Sequence, residues 1–136
     1  MAEEVTSVFT ATLRPDGIWV YRFTDVTREA MDAWYETSVR HDMEYDARGE
    51  HLRRLILIDR LIMPTPYAIG RTREAAEKTP LTLRESNALV LTQSLTLRLI
   101  VMGVQRLPGQ PGSIRVFLNE PDALEWLESR QKELES

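Results

Sequence analysis

The sequence predicts an α/β fold: a mixed, mostly parallel five-stranded sheet with four helices, in the order β-β-α-β-α-β-α-β-α. Three observations favour it. Two alternating apolar runs surround a tight-turn motif near the amino terminus, a continuous apolar run follows the first helical stretch, and strand and helix patterns then alternate to the end. Such alternation is typical of a parallel sheet, to which the opening hairpin adds an antiparallel edge.

The opening hairpin is predicted from its turn. Strand patterns cover residues 8–14 and 18–23, and Pro15-Asp16-Gly17 separates them. Proline pre-sets φ and glycine accepts the positive φ of a tight reversal, so the two strands are expected to pair.

A helix follows the hairpin. Thr24-Asp25 and Thr27 are alternative N-caps. The helical pattern fades before Ala47-Arg48-Gly49, where the glycine is expected either to end the helix or to lie in the loop beyond it. Helical spacing places four residues on one face: Ala30, Trp34, Thr37 and His41.

The run from Leu52 to Asp59 is continuously apolar behind two arginines. This pattern is typical of a strand that is covered on both faces, as in the middle of a parallel sheet. The remaining predicted elements are a helix over 67–78, a strand over 88–92, a strand over 114–118 and a helix over 123–134 that is capped by Asn119 or Asp122.

Residues 94–107 carry two patterns. Alternating leucines indicate a strand, whereas the crossover between parallel strands favours a helix, and we expect mainly helix. As a helix this stretch is apolar around most of its circumference, so its surface is expected either to meet a second subunit, a partner or a lipid, or to lie beneath the other helices. The predicted interface residues are Leu97, Ile100, Val101 and Val104.

Length and composition indicate one domain over residues 1–136, with an ordered core over about 8–134. The absence of cysteine excludes disulfides and thiolate chemistry. The net charge is −4 and basic residues alternate with acids, which argues against nucleic-acid binding. The acidic amino terminus is unlike a signal peptide and no apolar run spans a bilayer, so a cytoplasmic location is expected.

Three segments resemble the STAS-like (anti-sigma-factor-antagonist-like) family of uncharacterised bacterial proteins over residues 8–134. They are Leu55-Ile56-Leu57-Ile58-Asp59, Pro64-Thr65-Pro66-Tyr67-Ala68 followed by Arg71 and Glu74, and Val116-Phe117 followed by residues 122–127. The resemblance implies a STAS-like domain that acts by binding. Better-understood antagonists carry a phosphorylatable Asp-Ser-Ser-Gly motif after this strand, whereas this chain has Met63-Pro64-Thr65-Pro66.

The candidate binding residues are Asp59, Thr65, Tyr67 and Ser94, because ligands gather beyond the carboxyl ends of parallel strands. Two interpretations stay open for two of them. Thr65 is either a regulatory hydroxyl at a helix start or an N-cap between prolines. Asp59 is either a ligand contact or an acid that orders its loop through backbone N–H groups or Arg60.

The sequence contains no nucleophile elbow and no phosphate loop, and it predicts no catalytic residue, metal site or cofactor. His41 and His51 lack metal-ligand spacing and are expected at the surface or at helix ends. The acids between Asp42 and Asp46 are expected at a solvated helix end.

The sequence thus predicts a non-catalytic regulatory or protein-interaction module that binds another protein or forms a homodimer. The alternative is a domain that binds an apolar small molecule or lipid in a pocket at the carboxyl ends of the parallel strands. The run Leu61-Ile62-Met63 near Tyr67 favours that alternative.

Overall fold

The computed structural model describes residues 2–4, 7–59, 65–91 and 113–135, and it confirms an α/β fold. The described residues form six strands and three helices. The strands are β1 (Ala2–Glu4), β2 (Phe9–Leu13), β3 (Trp19–Phe23), β4 (Leu52–Ile58), β5 (Glu85–Val90) and β6 (Ile114–Phe117); the helices are α1 (Arg28–Arg48), α2 (Pro66–Lys78) and α3 (Glu120–Glu135). The predicted crossover helix over 94–107 lies outside the described residues.

The strands follow one another across the sheet in the order β1-β2-β3-β4-β5-β6. β1, β2 and β3 pair antiparallel, and β3, β4, β5 and β6 pair parallel. All five predicted strands are present, and β1 adds a sixth at the hairpin edge that the sequence did not predict. β4 lies between β3 and β5, which confirms that the apolar run before Asp59 is a central strand.

The hairpin turn between β2 and β3 forms as its residues predict. Gly17 has a φ of 88°, a conformation that disfavours residues with a Cβ. The amide of Arg14 donates to the carbonyl of Ile18 at 2.9 Å, and the amide of Gly17 donates to the carbonyl of Arg14 at 3.0 Å. These bonds set the register in which Leu13 faces Trp19.

Local side-chain chemistry defines both ends of α1. The Thr27 hydroxyl accepts a hydrogen bond from the amide of Ala30 at 3.1 Å, so Thr27 is the N-cap. Gly49 ends the helix with a φ of 66°, the left-handed conformation typical of a helix terminus. α1 continues through Arg48, two residues beyond the point at which the sequence pattern fades.

β5 corrects the sequence prediction at both ends. It starts at Glu85 rather than at Ala88, and it ends at Val90. The first three residues are polar, which hid the strand from an apolar pattern, but they are largely buried against polar partners. α3 similarly begins at Glu120, and the Asn119 side chain accepts from the amide of Asp122 at 2.9 Å.

The sheet has a hydrophobic core on each face. The core beneath α1 and α2 is centred on Phe9, Tyr21 and Phe23, together with Ala30 and Ala68 of the two helices. The core beneath α3 contains Leu55 and Leu57 of β4, Val90 of β5, and Ala123 and Leu127 of α3. Because α1 and α2 each lead from one parallel strand to the next, both helices begin at the carboxyl edge of the sheet.

Candidate functional site

Asp59 lies at the carboxyl end of β4, and the structure ties it to the neighbouring strand. Its amide donates to the carbonyl of Phe23 at 2.8 Å. Its carboxylate accepts two bonds from Arg22 Nη1, at 2.9 and 3.2 Å. Asp59 therefore extends the pairing of β3 and β4. Since both charged side chains are exposed, this pair contributes on the order of 0–1 kcal/mol.

Thr65 is the N-cap of α2. Its hydroxyl accepts a hydrogen bond from the amide of Ala68 at 3.1 Å, and Pro66 occupies the first helical position, where proline is well tolerated. The geometry fits the capping interpretation, and Thr65 is also exposed.

Tyr67 joins the first turns of α1 and α2. Its hydroxyl donates to the carboxylate of Asp32, which also accepts from Arg71 Nε at 3.0 Å. The guanidinium of Arg28 lies 4.0 Å from the centre of the Tyr67 ring. The hydrogen bond from Tyr67 is the largest of the interactions that lower the pKa of Asp32, and Arg71 adds to it. We call Asp32, Tyr67 and Arg71 the tyrosine clamp.

The seam between the two helices continues with Tyr35. The guanidinium of Arg71 lies 4.4 Å from the centre of the Tyr35 ring, and the ammonium of Lys78 lies 5.3 Å from it. A hydrogen bond between Lys78 and the Tyr35 hydroxyl raises the pKa of the ammonium group. Cations therefore alternate with aromatic rings along the seam, which fixes α2 against α1.

The opposite side of α2 faces water. The side chain of Ile69 is 48% exposed, and Pro66 and Arg73 are also exposed. The inner side of the helix packs through Ala68 and Ala75, which are buried. The sequence singled out Thr65 and Tyr67 but not Ile69, although the helical period alone places Ile69 away from Ala75.

The other predicted residues lie outside the described part of the chain. These are the candidate binding residue Ser94 and the candidate interface residues Leu97, Ile100, Val101 and Val104. Their roles stay predictions. Asp59, Thr65 and Tyr67 all lie at the ends of elements that meet at the carboxyl edge, as the sequence predicts.

Sequence reasoning missed a buried polar network between α1 and the amino half of the parallel strands. Arg54 of β4 is at its centre. Its guanidinium donates to the Tyr21 hydroxyl at 3.2 Å, to Asn87 Oδ1 at 3.1 Å, to the carbonyl of Ser38 at 3.0 Å and to Asp42. Burial by itself would lower the pKa of Arg54, but the oxygen of Tyr21 and the carboxylate of Asp42 raise it, so Arg54 stays charged.

The network continues from Arg54 in two directions. Asp42 also accepts from the Thr79 hydroxyl at 3.2 Å, which attaches the end of α2. On the sheet, Glu85 Oε1 lies 3.8 Å from Arg54 Nη1 and accepts a hydrogen bond from the side-chain Nδ2 of Asn87 at 2.6 Å. Burial raises the pKa of Glu85, and the charge of Arg54 opposes that shift.

His41 is the titratable end of this network. Its ring stacks on Trp19 with centroids 4.1 Å apart, and its Nδ1 contacts the Tyr21 hydroxyl. Because Arg54 donates to the Tyr21 oxygen, the phenolic proton is available to a neutral Nδ1. Burial, followed by the positive charge of Arg54, lowers the pKa of His41 to about 3.

These contacts correct three expectations from the sequence. His41 and His51 are buried rather than at the surface. Asp42 and Tyr45 are buried too, so the acidic segment at the end of α1 is not simply solvated. The reason is that Arg54 needs a carboxylate inside the protein, and Asp42 is on the face of α1 that covers β4.

His51 belongs to a second polar cluster, beneath α3. Its Nε2 lies 2.9 Å from the hydroxyl oxygen of Ser86, and Arg130 Nε donates to the same oxygen at 3.0 Å. Ser86 has no exposed surface, and its oxygen is shared between these two side chains. The cluster therefore attaches α3 to β5 and leaves no open path from solvent to the Ser86 hydroxyl.

A depression of about 210 Å³ lies at the opposite edge of the domain from Asp59 and Thr65. Its walls include Tyr45, Asp46, Thr82, Leu83 and Arg84, from the end of α1 and the segment before β5. This depression is at the amino edge of the parallel strands, whereas the sequence alternative places its apolar pocket at the carboxyl edge.

Together these features define an α/β domain with a mixed sheet, helices on both faces and polar clusters that join the helices to the strands. Comparison with protein-family models, curated proteins and solved structures finds no match for the chain. Within residues 7–59, 65–91 and 113–135, no three histidine or acidic side chains are grouped to hold a metal ion. Among the described helices, none is both long and apolar enough to cross a membrane.

Proposed function

We propose that this chain is a non-catalytic protein-interaction module that binds a partner protein through the exposed side of α2, next to Thr65. The observation that carries the proposal is the 48% exposure of Ile69 on that side of the helix. An aliphatic side chain held in water at the carboxyl edge of a sheet gains free energy when a partner covers it.

The tyrosine clamp supports the proposal because it fixes the orientation of this surface. Tyr67 and Arg71 both contact Asp32 of α1, and the Thr65 cap stabilises the start of α2. A surface that is ordered before binding loses less conformational entropy when the partner arrives. The STAS-like resemblance implies the same helix start as a contact region, and it stays a proposal with this one.

The structural contacts of the described polar side chains also favour a binding role over a catalytic one. The guanidinium of Arg54 and the hydroxyl of Ser86 are buried and bonded within the protein. Asp59 and Thr65 are accessible, but one is paired with Arg22 and the other caps α2. These contacts give each group a structural task that needs no substrate.

A site-specific cross-linking experiment tests the proposal. A photoreactive amino acid replaces Ile69 in living cells, and the matched control places it at Leu81, an aliphatic residue that is 84% exposed in the segment before β5, at the opposite edge of the sheet. We expect a cross-linked protein at position 69 that is absent at position 81. The captured protein is then purified and its dissociation constant measured against the wild type and two variants.

Ile69→Asp is expected to raise that dissociation constant at least about tenfold, which corresponds to about 1.4 kcal/mol, whereas Leu81→Asp leaves it unchanged. Circular dichroism verifies that both variants are folded. Equal affinities for Ile69→Asp and the wild type, or equal cross-linking at the two positions, contradict the proposal.

A further inference from the structure

α2 buries very little apolar surface for its length. Of its 13 residues only Ala68 and Ala75 are buried, and alanine has the smallest apolar side chain. Ile69, the one large aliphatic residue of the helix, is 48% exposed. Since the free energy gained on burial is proportional to the apolar area removed from water, packing on the core stabilises α2 only weakly.

The other two described helices are anchored differently. Eight residues of α1 are buried, among them Met31 and Tyr45, and α3 inserts the fully buried Leu127 into the core beneath it. α3 packs closely on β5, whereas α2 packs mainly against α1 rather than against a strand. On the sheet beneath α1 and α2, the side chains of Ile56 and Ile58 are only partly buried. Among the described helices, α2 therefore has the weakest apolar attachment to the sheet.

Polar contacts attach α2 to α1 instead. At the start of the helix, the tyrosine clamp joins Tyr67 and Arg71 to Asp32. At its end, the Thr79 hydroxyl donates to Asp42 at 3.2 Å. The side chains of Arg71 and Asp32 are 26% and 42% exposed, so water competes for the bonds of the clamp.

The helix is also too short to be stable by itself. Isolated helices of fewer than about 12–15 residues are marginal in water, and α2 has 13 residues. Gly70, within the helix, lowers its intrinsic stability further. Once the contacts with α1 are broken, α2 is therefore expected to unwind rather than to persist as a separate helix.

We infer that α2 is a releasable element: it detaches from α1 and unwinds in a local opening while α1, the sheet and α3 stay folded, and the tyrosine clamp sets how often this happens. Folded proteins open in such cooperative units, and binding surfaces are drawn from the less stable ones. As a regulation of the binding surface next to Thr65, the inference rests on the proposed function. That surface exists only while α2 is docked, so a partner binds and stabilises the docked state.

Amide hydrogen exchange of the full chain tests the inference, followed by mass spectrometry across a series of low urea concentrations. We expect the amides of α2 to exchange through an opening that has a lower free energy than the opening of α1 and β4. The rate of exchange in α2 should also depend less steeply on urea, because a local opening exposes less surface than global unfolding does.

Asp32→Ala tests the role of the tyrosine clamp, because it removes the carboxylate that Tyr67 and Arg71 share. It is expected to speed exchange in α2 at least about fivefold and to leave exchange in β4 unchanged. Unchanged protection of β4 also verifies that the variant is folded. The matched control is Glu36→Ala, which removes an exposed carboxylate one turn further along α1 and should leave α2 as in the wild type.

Two results overturn the inference: exchange of α2 with the same free energy and urea dependence as α1 and β4, or equal exchange of α2 in Asp32→Ala and the wild type. The proposed function fails separately. Global exchange of α2 together with specific cross-linking at position 69 overturns the releasable element and retains the interaction module. Separate opening of α2 without specific cross-linking confirms the release and contradicts the interaction module.

Discussion

The guanidinium of Arg54 and the carboxylate of Asp42 form a salt bridge in which each side chain is 3% exposed. One partner comes from the central strand β4, and the other comes from the buried face of α1. Two charges removed from water are stable only when they are paired and fully hydrogen-bonded, and here both conditions are met.

Removing one partner of this pair is therefore expected to cost far more than an ordinary surface change. Asp42→Asn should lower the free energy of unfolding by about 3–5 kcal/mol, because it leaves the charge of Arg54 without its nearest carboxylate. Urea denaturation measures the loss. Glu44→Gln, on the exposed side of the same helix, is the control and should change little.

The double variant Asp42→Asn with Arg54→Met distinguishes the cost of an unpaired buried charge from the cost of lost side-chain packing. We expect it to be more stable than Asp42→Asn alone, since the unpaired cation is gone. If the two substitutions simply add, the two groups do not interact and the network described above is wrong.

The shifted pKa of His41 predicts a pH dependence of stability. Its ordinary pKa is 6.5, and its pKa in the folded protein is about 3. Between these two values the unfolded chain binds a proton at this histidine and the folded chain does not. The free energy of unfolding should therefore fall as the pH falls from 6.5 toward 3. After allowance for partial solvent screening, the expected loss by pH 5 is about 1 kcal/mol.

Denaturant unfolding of the wild type and His41→Gln at pH 7 and pH 5 isolates this contribution. Other titrating groups are common to both proteins, so the difference between their pH slopes reports on His41. Parallel slopes would show that His41 takes up its proton equally in both states.

The framework of the fold was predictable because its signals are local. The apolar run before Asp59 identified the covered central strand, and Gly17 identified the turn, whose backbone geometry excludes most other residues. Thr27 and Thr65 were recognisable as caps because a hydroxyl three residues before a helical amide satisfies it.

The polar network was not predicted because its members are distant in the chain. Arg54 is 12 residues from Asp42, and helical periodicity treats Asp42 as a residue that faces water. One signal of the network was present in the sequence. Successive residues of a strand point to opposite faces, so in a strand that is covered on both faces Arg53 and Arg54 are both buried. Each buried arginine then needs a polar partner. The chain position of those partners was not contained in the pattern.

The candidate site was predictable in part for the same reason. The sequence placed Asp59, Thr65 and Tyr67 at one edge because strand ends and helix starts coincide there. The acceptor of the Tyr67 hydroxyl is Asp32, 35 residues earlier, and its position depends on how α1 packs against α2. Tertiary packing sets such contacts, and local pattern does not encode them.

Replacing each of two glycines with alanine shows whether backbone conformation or packing determines the effect on the free energy of unfolding. Gly70→Ala should raise the free energy of unfolding by about 0.5–1 kcal/mol, since alanine favours the helix and a Cβ meets nothing nearby among the described residues. Gly49→Ala should lower it by about 1 kcal/mol, although that position is equally open, because its φ is 66°. Urea denaturation of dilute protein measures both, and changes of the same sign would contradict this assignment.

The cap of α2 can be tested in the same way. Thr65→Ala should lower the free energy of unfolding by about 0.5–2 kcal/mol, because the amide of Ala68 loses its acceptor, whereas Thr65→Ser should retain most of the stability. Thr27→Ala, at the equivalent position of α1, provides the comparison. If Thr65→Ala unfolds at the same urea concentration as the wild type, the hydroxyl does not act as a cap.

Tyr67→Phe tests the tyrosine clamp by removing a single hydroxyl group. The hydrogen bond from Tyr67 is the largest cause of the lowered pKa of Asp32, so the variant should raise that pKa toward its usual value. A carboxyl whose pKa is lowered by folding stabilises the protein above its unfolded pKa, and this stabilisation is lost as the pH falls through the folded pKa. The variant should therefore lose less stability on acidification than the wild type does.

Carbon NMR of the Asp32 carboxyl through an acid titration measures the effect directly. Tyr35→Phe is the matched control: it removes a hydroxyl from the same seam, and it should lower the pKa of Lys78 while it leaves Asp32 unchanged. An Asp32 pKa that is identical in Tyr67→Phe and the wild type would mean that Arg71 and Arg28 lower this pKa without the Tyr67 hydroxyl, and that Tyr67 contributes to the seam through the contacts of its ring with the same two arginines.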